Sequence, residues 1–196
     1  GQLEVQAHQH TDNCLAQREL LCTLPEHKHS QLCYPPEEGV SYTYEDDALA
    51  VTVYLSPETV LPEGAALNVR ALTDEEETYA EMRNQAESAM PGTAGILLYD
   101  ISFYTAEEAY IPVADTATVS LRFKENVLAE TAGEVAVLHY EETAELPVTL
   151  EDVIVAQSEA NGVEELTFQT EGFSVFAVVK VLNKLNYPKA TEADLV

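Results

Sequence analysis

The segment Ala117 to Phe123 alternates strictly between apolar and polar side chains, with Val119, Leu121 and Phe123 on one face. A period of two marks a strand with one buried face, because successive side chains of an extended chain point to opposite sides. The pattern recurs along the chain. Leu49 to Leu55 is rich in β-branched residues and is bounded by Asp46-Asp47 and Ser56-Pro57, and Ala66 to Leu72 follows Pro62-Glu63-Gly64. Gly95 to Tyr104 is the longest candidate, and Glu134 to Tyr140, Glu165 to Gln169 and Phe173 to Val181 complete the set. Short strands separated by Pro, Gly and acidic turns predict a mainly β protein, an antiparallel β-sandwich.

One segment departs from this period. Thr73 to Met90 carries Tyr79, Met82, Ala86 and Met90 at helical spacing, an apolar stripe on an otherwise polar helix. Thr73 with Glu76 fits a capping box, and Pro91-Gly92 supplies the stop. The spacing therefore predicts one inserted helix, a crossover packed on a face or end of the sandwich. From Asn183 to Val196 the strand pattern fades, which predicts a tail or linker.

The first forty residues are of another kind. All three cysteines (Cys14, Cys22, Cys33) and four of the five histidines (His8, His10, His27, His29) lie between His8 and Cys33. The pattern His-x-His-x3-Cys occurs twice, as His8/His10/Cys14 and as His27/His29/Cys33, with Cys22 between. Thiolate and imidazole are the ligands zinc prefers, and a closed structural site needs four in a tetrahedron. The expected metal ligands come from His10, Cys14, Cys22, His27, His29 and Cys33, with His8 as a further candidate. A disulfide between two of the cysteines is the alternative, although it leaves the histidine pairs without a role. Free thiols are the third reading. The element closes near Pro35 to Gly39, which cannot continue regular structure. The expected organisation is a zinc-stapled Cys/His element over 1–40, a β-sandwich over 41–182 and a tail over 183–196.

Charge narrows the partners. Thirty-five acidic residues against nine basic ones give a net charge of −26, which disfavours nucleic acid and anionic membrane surfaces. No apolar run reaches 18 residues, so no membrane span is expected. Gly1 to Glu4 lacks a basic head followed by an apolar core, so this stretch does not read as a signal peptide. Paired acids such as Asp46-Asp47, Glu107-Glu108, Glu141-Glu142 and Glu151-Asp152 read as solvated turns in so acidic a chain. Ten tyrosines and no tryptophan leave room for a tyrosine-rich contact surface, with most tyrosines serving the core.

These residues together resemble a known family. His8-x-His10-Thr-Asp-x-Cys14, Leu21-Cys22, Glu26-His27-x-His29 and Cys33-Tyr34 look like an element of large repetitive, cell-wall-anchored surface proteins of gut Gram-positive bacteria (Firmicutes). In those proteins, stretches of the type HTHTDxCY, LxCG and EHxHxxxCY precede β-rich modules. The following module is similar too, at Tyr44 to Asp47, Val51 to Val53, Tyr99 to Phe103, Val119 to Leu121, Val135 to His139 and Gly172 to Phe176. The resemblance spans residues 8 to 181. The chain departs from it at Leu15, where tyrosine is expected, and at Thr23, where glycine is usual. It implies an extracellular, wall-anchored setting and a non-enzymatic structural or adhesive task. The implied partners are other modules of the same protein and possible host targets: glycan, mucin or immunoglobulin.

Candidate chemistry is sparse. A G-x-S-x-G turn, a Gly-rich phosphate loop and a basic patch with interleaved aromatics are all missing from the sequence. His139 is the sole histidine outside the cluster. With Phe173-Ser174 it resembles the self-cleaving β-sandwich domains of some innate-immune and death-domain proteins. That likeness implies His139 as base and Ser174 as nucleophile toward the preceding carbonyl. Gly172 stands where those domains often carry histidine. A metal-dependent hydrolase at the Cys/His cluster, with Glu26 as base, is the other catalytic alternative. An internal Lys–Asn isopeptide bond requires a lysine, an asparagine and a buried acid brought together, and among the lysines Lys124 and Lys180 alone sit in or beside strand candidates. Ordinary surface lysines are the favoured reading there.

Overall fold

The computed structural model describes residues 39–129, 133–141, 144–158 and 160–182. Within them the chain is mainly β, with two antiparallel sheets and one helix, consistent with the expected sandwich. The Cys/His element, with its expected zinc ligands His8, His10, Cys14, Cys22, His27, His29 and Cys33, lies outside the described residues, as does the tail. Among the described residues no cluster of His, Cys, Asp or Glu is suited to a metal ion.

The first sheet contains β1 (Val40–Glu45), β2 (Leu49–Leu55), β6 (Ala117–Val127), β10 (Val163–Thr170) and β9 (Ile154–Gln157), in the order β1-β2-β6-β10-β9. The second runs β3 (Ala66–Leu72), β4 (Thr93–Tyr104), β11 (Val175–Val181), β7 (Glu134–Tyr140) and β8 (Val148–Thr149). A two-residue strand, β5 (Tyr110–Ile111), also pairs with β4. The alternation in sequence becomes alternation in burial: Leu49, Val51, Val53 and Leu55 are buried and the residues between them are half-buried. These side chains join Val119, Leu121, Phe168, Ile101, Phe103, Val137, Phe176 and Val178 in one apolar cluster drawing on both sheets. Burial of that apolar surface drives the two faces together.

The helix α1 (Glu77–Ala89) lies on the opposite face of the second sheet. Ala86 is fully buried, and Tyr79, Met82 and Met90 pack with it against Leu72, Leu98, Leu138, Ala177 and Val179, so the apolar stripe is realised. Tyr140 ties the helix down by donating its hydroxyl hydrogen to the Met82 carbonyl at 2.5 Å. The expected start is corrected. The Glu76 carboxylate accepts the Thr73 N–H at 3.1 Å, but a turn intervenes and the helix begins only at Glu77, without a side-chain cap. Gly92, at φ 99°, supplies the stop. Because α1 joins β3 to its antiparallel neighbour β4, it is an excursion between adjacent strands and not a crossover.

Strands β1, β5, β8 and β9 were not expected as strands. Two-residue ladders such as β5 and β8 are too short to carry a period. The β1–β2 turn is set by Asp46, whose Oδ1 accepts the N–H groups of Ala48 and Leu49, each at 2.8 Å. Those two bonds hold its carboxyl below the usual carboxylate range.

Candidate functional site

The site begins with a break in the second sheet. Strand β4 pairs with β3 over its C-terminal half, from Leu98 to Tyr104. On its other side β11 covers Thr93 to Asp100 and β5 covers Phe103 and Tyr104. Phe173 and Ser174 therefore enter where one neighbour of β4 ends and the other begins, and the chain bends at Ser174 before β11 starts. Strand β7, paired with β11 on the far side, places His139 opposite Phe176.

Those two placements bring the sequence-predicted pair together. Ser174 Oγ lies 3.0 Å from His139 Nε2 and donates to the carbonyl oxygen of Tyr140 at 2.5 Å. A serine hydroxyl has one hydrogen to give. With that hydrogen on the Tyr140 oxygen, Nε2 is the donor to Oγ in the resting arrangement. For His139 to act as base, the hydroxyl must turn toward Nε2 with the ring proton on Nδ1. The imidazole is stacked on Phe176 at 4.4 Å and 7°, and only 6% of the residue is exposed. Burial lowers its pKa from the ordinary histidine value, partly offset by the negative charge of Glu141. A neutral ring near pH 7 is the form a base requires.

The backbone around Ser174 is fixed carbonyl by carbonyl. Thr170 Oγ1 donates to the Gly172 oxygen at 2.9 Å, the Tyr110 hydroxyl to the Phe173 oxygen at 3.2 Å, and the Ile101 N–H to the Ser174 oxygen at 2.9 Å. Phe173 itself is buried, with its ring edge-to-face on Phe103 at 5.1 Å. Two clefts of about 320 and 250 Å³ share His139, Glu141 and Glu171. The smaller is also lined by Tyr110, Phe173 and Ser174, so the 173–174 peptide is reached from a cleft. Tyr110 is the member that sequence reasoning missed. It reaches Phe173 only because β5 occupies the gap beside β4, and so short a strand leaves no periodic trace.

The two lysines weighed for a covalent cross-link differ sharply. Lys124 is on the surface, 2.8 Å from Glu45 Oε1. Lys180 is fully buried, and its ammonium donates to the backbone oxygens of Leu128 and Asn161. These contacts are to main-chain carbonyls and not to an asparagine side chain, and no described carboxylate forms an ion pair with it. Burial lowers the Lys180 pKa.

The described residues thus bring a serine hydroxyl, an imidazole and a carbonyl bonded to a tyrosine hydroxyl together around one peptide bond. No protein-family model, curated protein or solved structure matches this chain.

Proposed function

We propose that this chain is a module of a bacterial cell-surface protein whose sandwich cuts its own backbone between Phe173 and Ser174. The observation that carries the self-cleavage reading is the 3.0 Å contact between Ser174 Oγ and His139 Nε2, beside the carbonyl to be attacked. In the reaction, Oγ bonds to the Phe173 carbonyl carbon while its proton passes to Nε2. The C–N bond to Ser174 then breaks, and His139 returns the proton to the departing amine. The product is an ester of Phe173 with the Ser174 hydroxyl. Attack by one water then leaves a Phe173 carboxylate and a free Ser174 hydroxyl. The event happens once per chain, so it agrees with a module that carries no enzymatic turnover.

The surface setting rests on the resemblance over residues 8–181. In this reading the Cys/His element holds a structural zinc, the acidic sandwich acts as a spacer or binding module in the cell wall, and its neighbours are other modules of the same protein. Host glycan, mucin or immunoglobulin are the candidate targets.

Intact mass spectrometry tests both parts. Under denaturing conditions the expected species are 1–173 and 174–196, whose masses sum to the intact chain plus one water, while Ser174→Ala and His139→Ala stay whole. A wild-type chain that remains whole after prolonged incubation at neutral pH and after hydroxylamine, which opens esters, would sink the self-cleavage reading. Under native conditions one zinc is expected, lost on chelation. A metal-free chain lighter by two hydrogens would replace the zinc with a disulfide.

A further inference from the structure

We propose that Tyr110 is a catalytic residue of this self-cleavage, stabilising the negative charge that develops on the Phe173 oxygen. The inference rests on the self-cleavage reading and adds the group that such chemistry most needs. When Oγ adds to the carbonyl carbon, the C=O electron pair moves onto oxygen, and a donor already aimed at that oxygen lowers the barrier.

Three successive carbonyls, those of Gly172, Phe173 and Ser174, each have a donor. The outer two are served by a residue two positions back in the chain and by the backbone of the neighbouring strand, as in ordinary turn and ladder pairing. The middle one, belonging to the bond Ser174 would attack, is served by a side-chain hydroxyl from a strand 63 positions earlier. That side chain is not there for the core: Tyr110 is 49% exposed and lines the same cleft as His139 and Ser174. Its position is set from behind. The pairing of Tyr110 with Tyr104 in the β4–β5 ladder fixes its Cα, and the two rings meet edge-to-face at 6.1 Å. At 3.2 Å this bond to the neutral carbonyl is longer than most O–H···O contacts, so it is weak in the resting chain. Charge on the oxygen shortens and strengthens such a bond, so the gain is larger in the transition state than in the resting chain.

The test is Tyr110→Phe, which keeps the ring and its contact with Tyr104 and removes only the hydroxyl. Appearance of the 174–196 fragment would be timed in wild type and variant from pH 5 to 9, with a melting curve for each. The expected result is a rate about 10- to 100-fold lower at every pH, because water can partly replace a donor at a half-exposed site. The pH midpoint set by His139 and the melting temperature should stay in place. Cleavage of Tyr110→Phe at the wild-type rate would overturn the role of Tyr110 and leave self-cleavage standing. Slowing that accompanies a clearly lowered melting temperature would assign Tyr110 a packing role and overturn it as well. A wild-type chain that neither cleaves nor yields to hydroxylamine would remove both proposals together.

Discussion

Replacing Phe176 with leucine tests whether the core and the candidate site are one piece of machinery. Phe176 is fully buried between the sheets, stacked on His139 at 4.4 Å and tilted against Phe168 at 5.4 Å. Leucine keeps the residue apolar but loses the two ring contacts, each about 0.5–1.5 kcal/mol beyond burial, and leaves part of the ring volume unfilled. The expected loss of stability is about 1–3 kcal/mol. In a urea titration with a slope of about 2 kcal/mol per molar, the midpoint falls by about 0.5–1.5 M. The same change removes the platform that orients the imidazole, so self-cleavage should slow by about 10- to 100-fold. Phe123→Leu is the control, because Phe123 belongs to the same cluster and packs on Tyr99, not on His139. It should lower the urea midpoint yet spare the cleavage rate. Phe176→Leu with an unshifted midpoint would refute the packing argument. Equal slowing by both variants would refute the claim that the stack positions the base.

Two further predictions concern alkaline pH. Tyr99 is buried, which pushes its pKa from 10.0 up to about 12, so the unfolded chain releases this proton first. Stability should therefore fall as pH rises from about 10 toward 12, by up to about 3 kcal/mol for this group, and Tyr99→Phe should flatten the fall in a pH series of urea titrations. Lys180 acts in the opposite sense: its pKa is lowered by burial, so below pH 10.5 the unfolded chain holds this proton more tightly than the folded one. Its contribution makes stability rise with pH between its lowered folded value and that point, and Lys180→Met should flatten the rise in that window; a rise unchanged in the variant would refute the assignment.

Much of this architecture can be read from local pattern. The bounds of β2, β3 and β7 agree with the alternating or β-branched runs, and Tyr79, Met82, Ala86 and Met90 meet the sheet as their spacing requires. Hidden from the sequence was whatever depends on pairing between distant segments. Strand β9 (Ile154–Gln157) has no clean period, and β5 is defined only by its partner β4. The candidate site divides along the same line. His139 stood out as the lone histidine beyond residue 29, and Ser174 only through the likeness of Phe173-Ser174 to self-cleaving sandwich domains. Tyr110 is one of ten tyrosines, and nothing local marks it. The burial of Lys180 was equally hidden, because a lysine at the end of a strand ordinarily snorkels to water.

The place of β11 has a mechanical consequence. It is an interior strand, bonded to β4 along one side and to β7 along the other, and Phe176, Ala177, Val178, Val179 and Lys180 are all fully buried. Opening the chain just before it would cut the covalent path without loosening the folded body. The two pieces would separate only when a pull along the strand sheared both ladders at once, or when the domain unfolded. A severed backbone at that point works as a latch: it carries tension as a single body up to a threshold and then parts cleanly, which an intact chain cannot do.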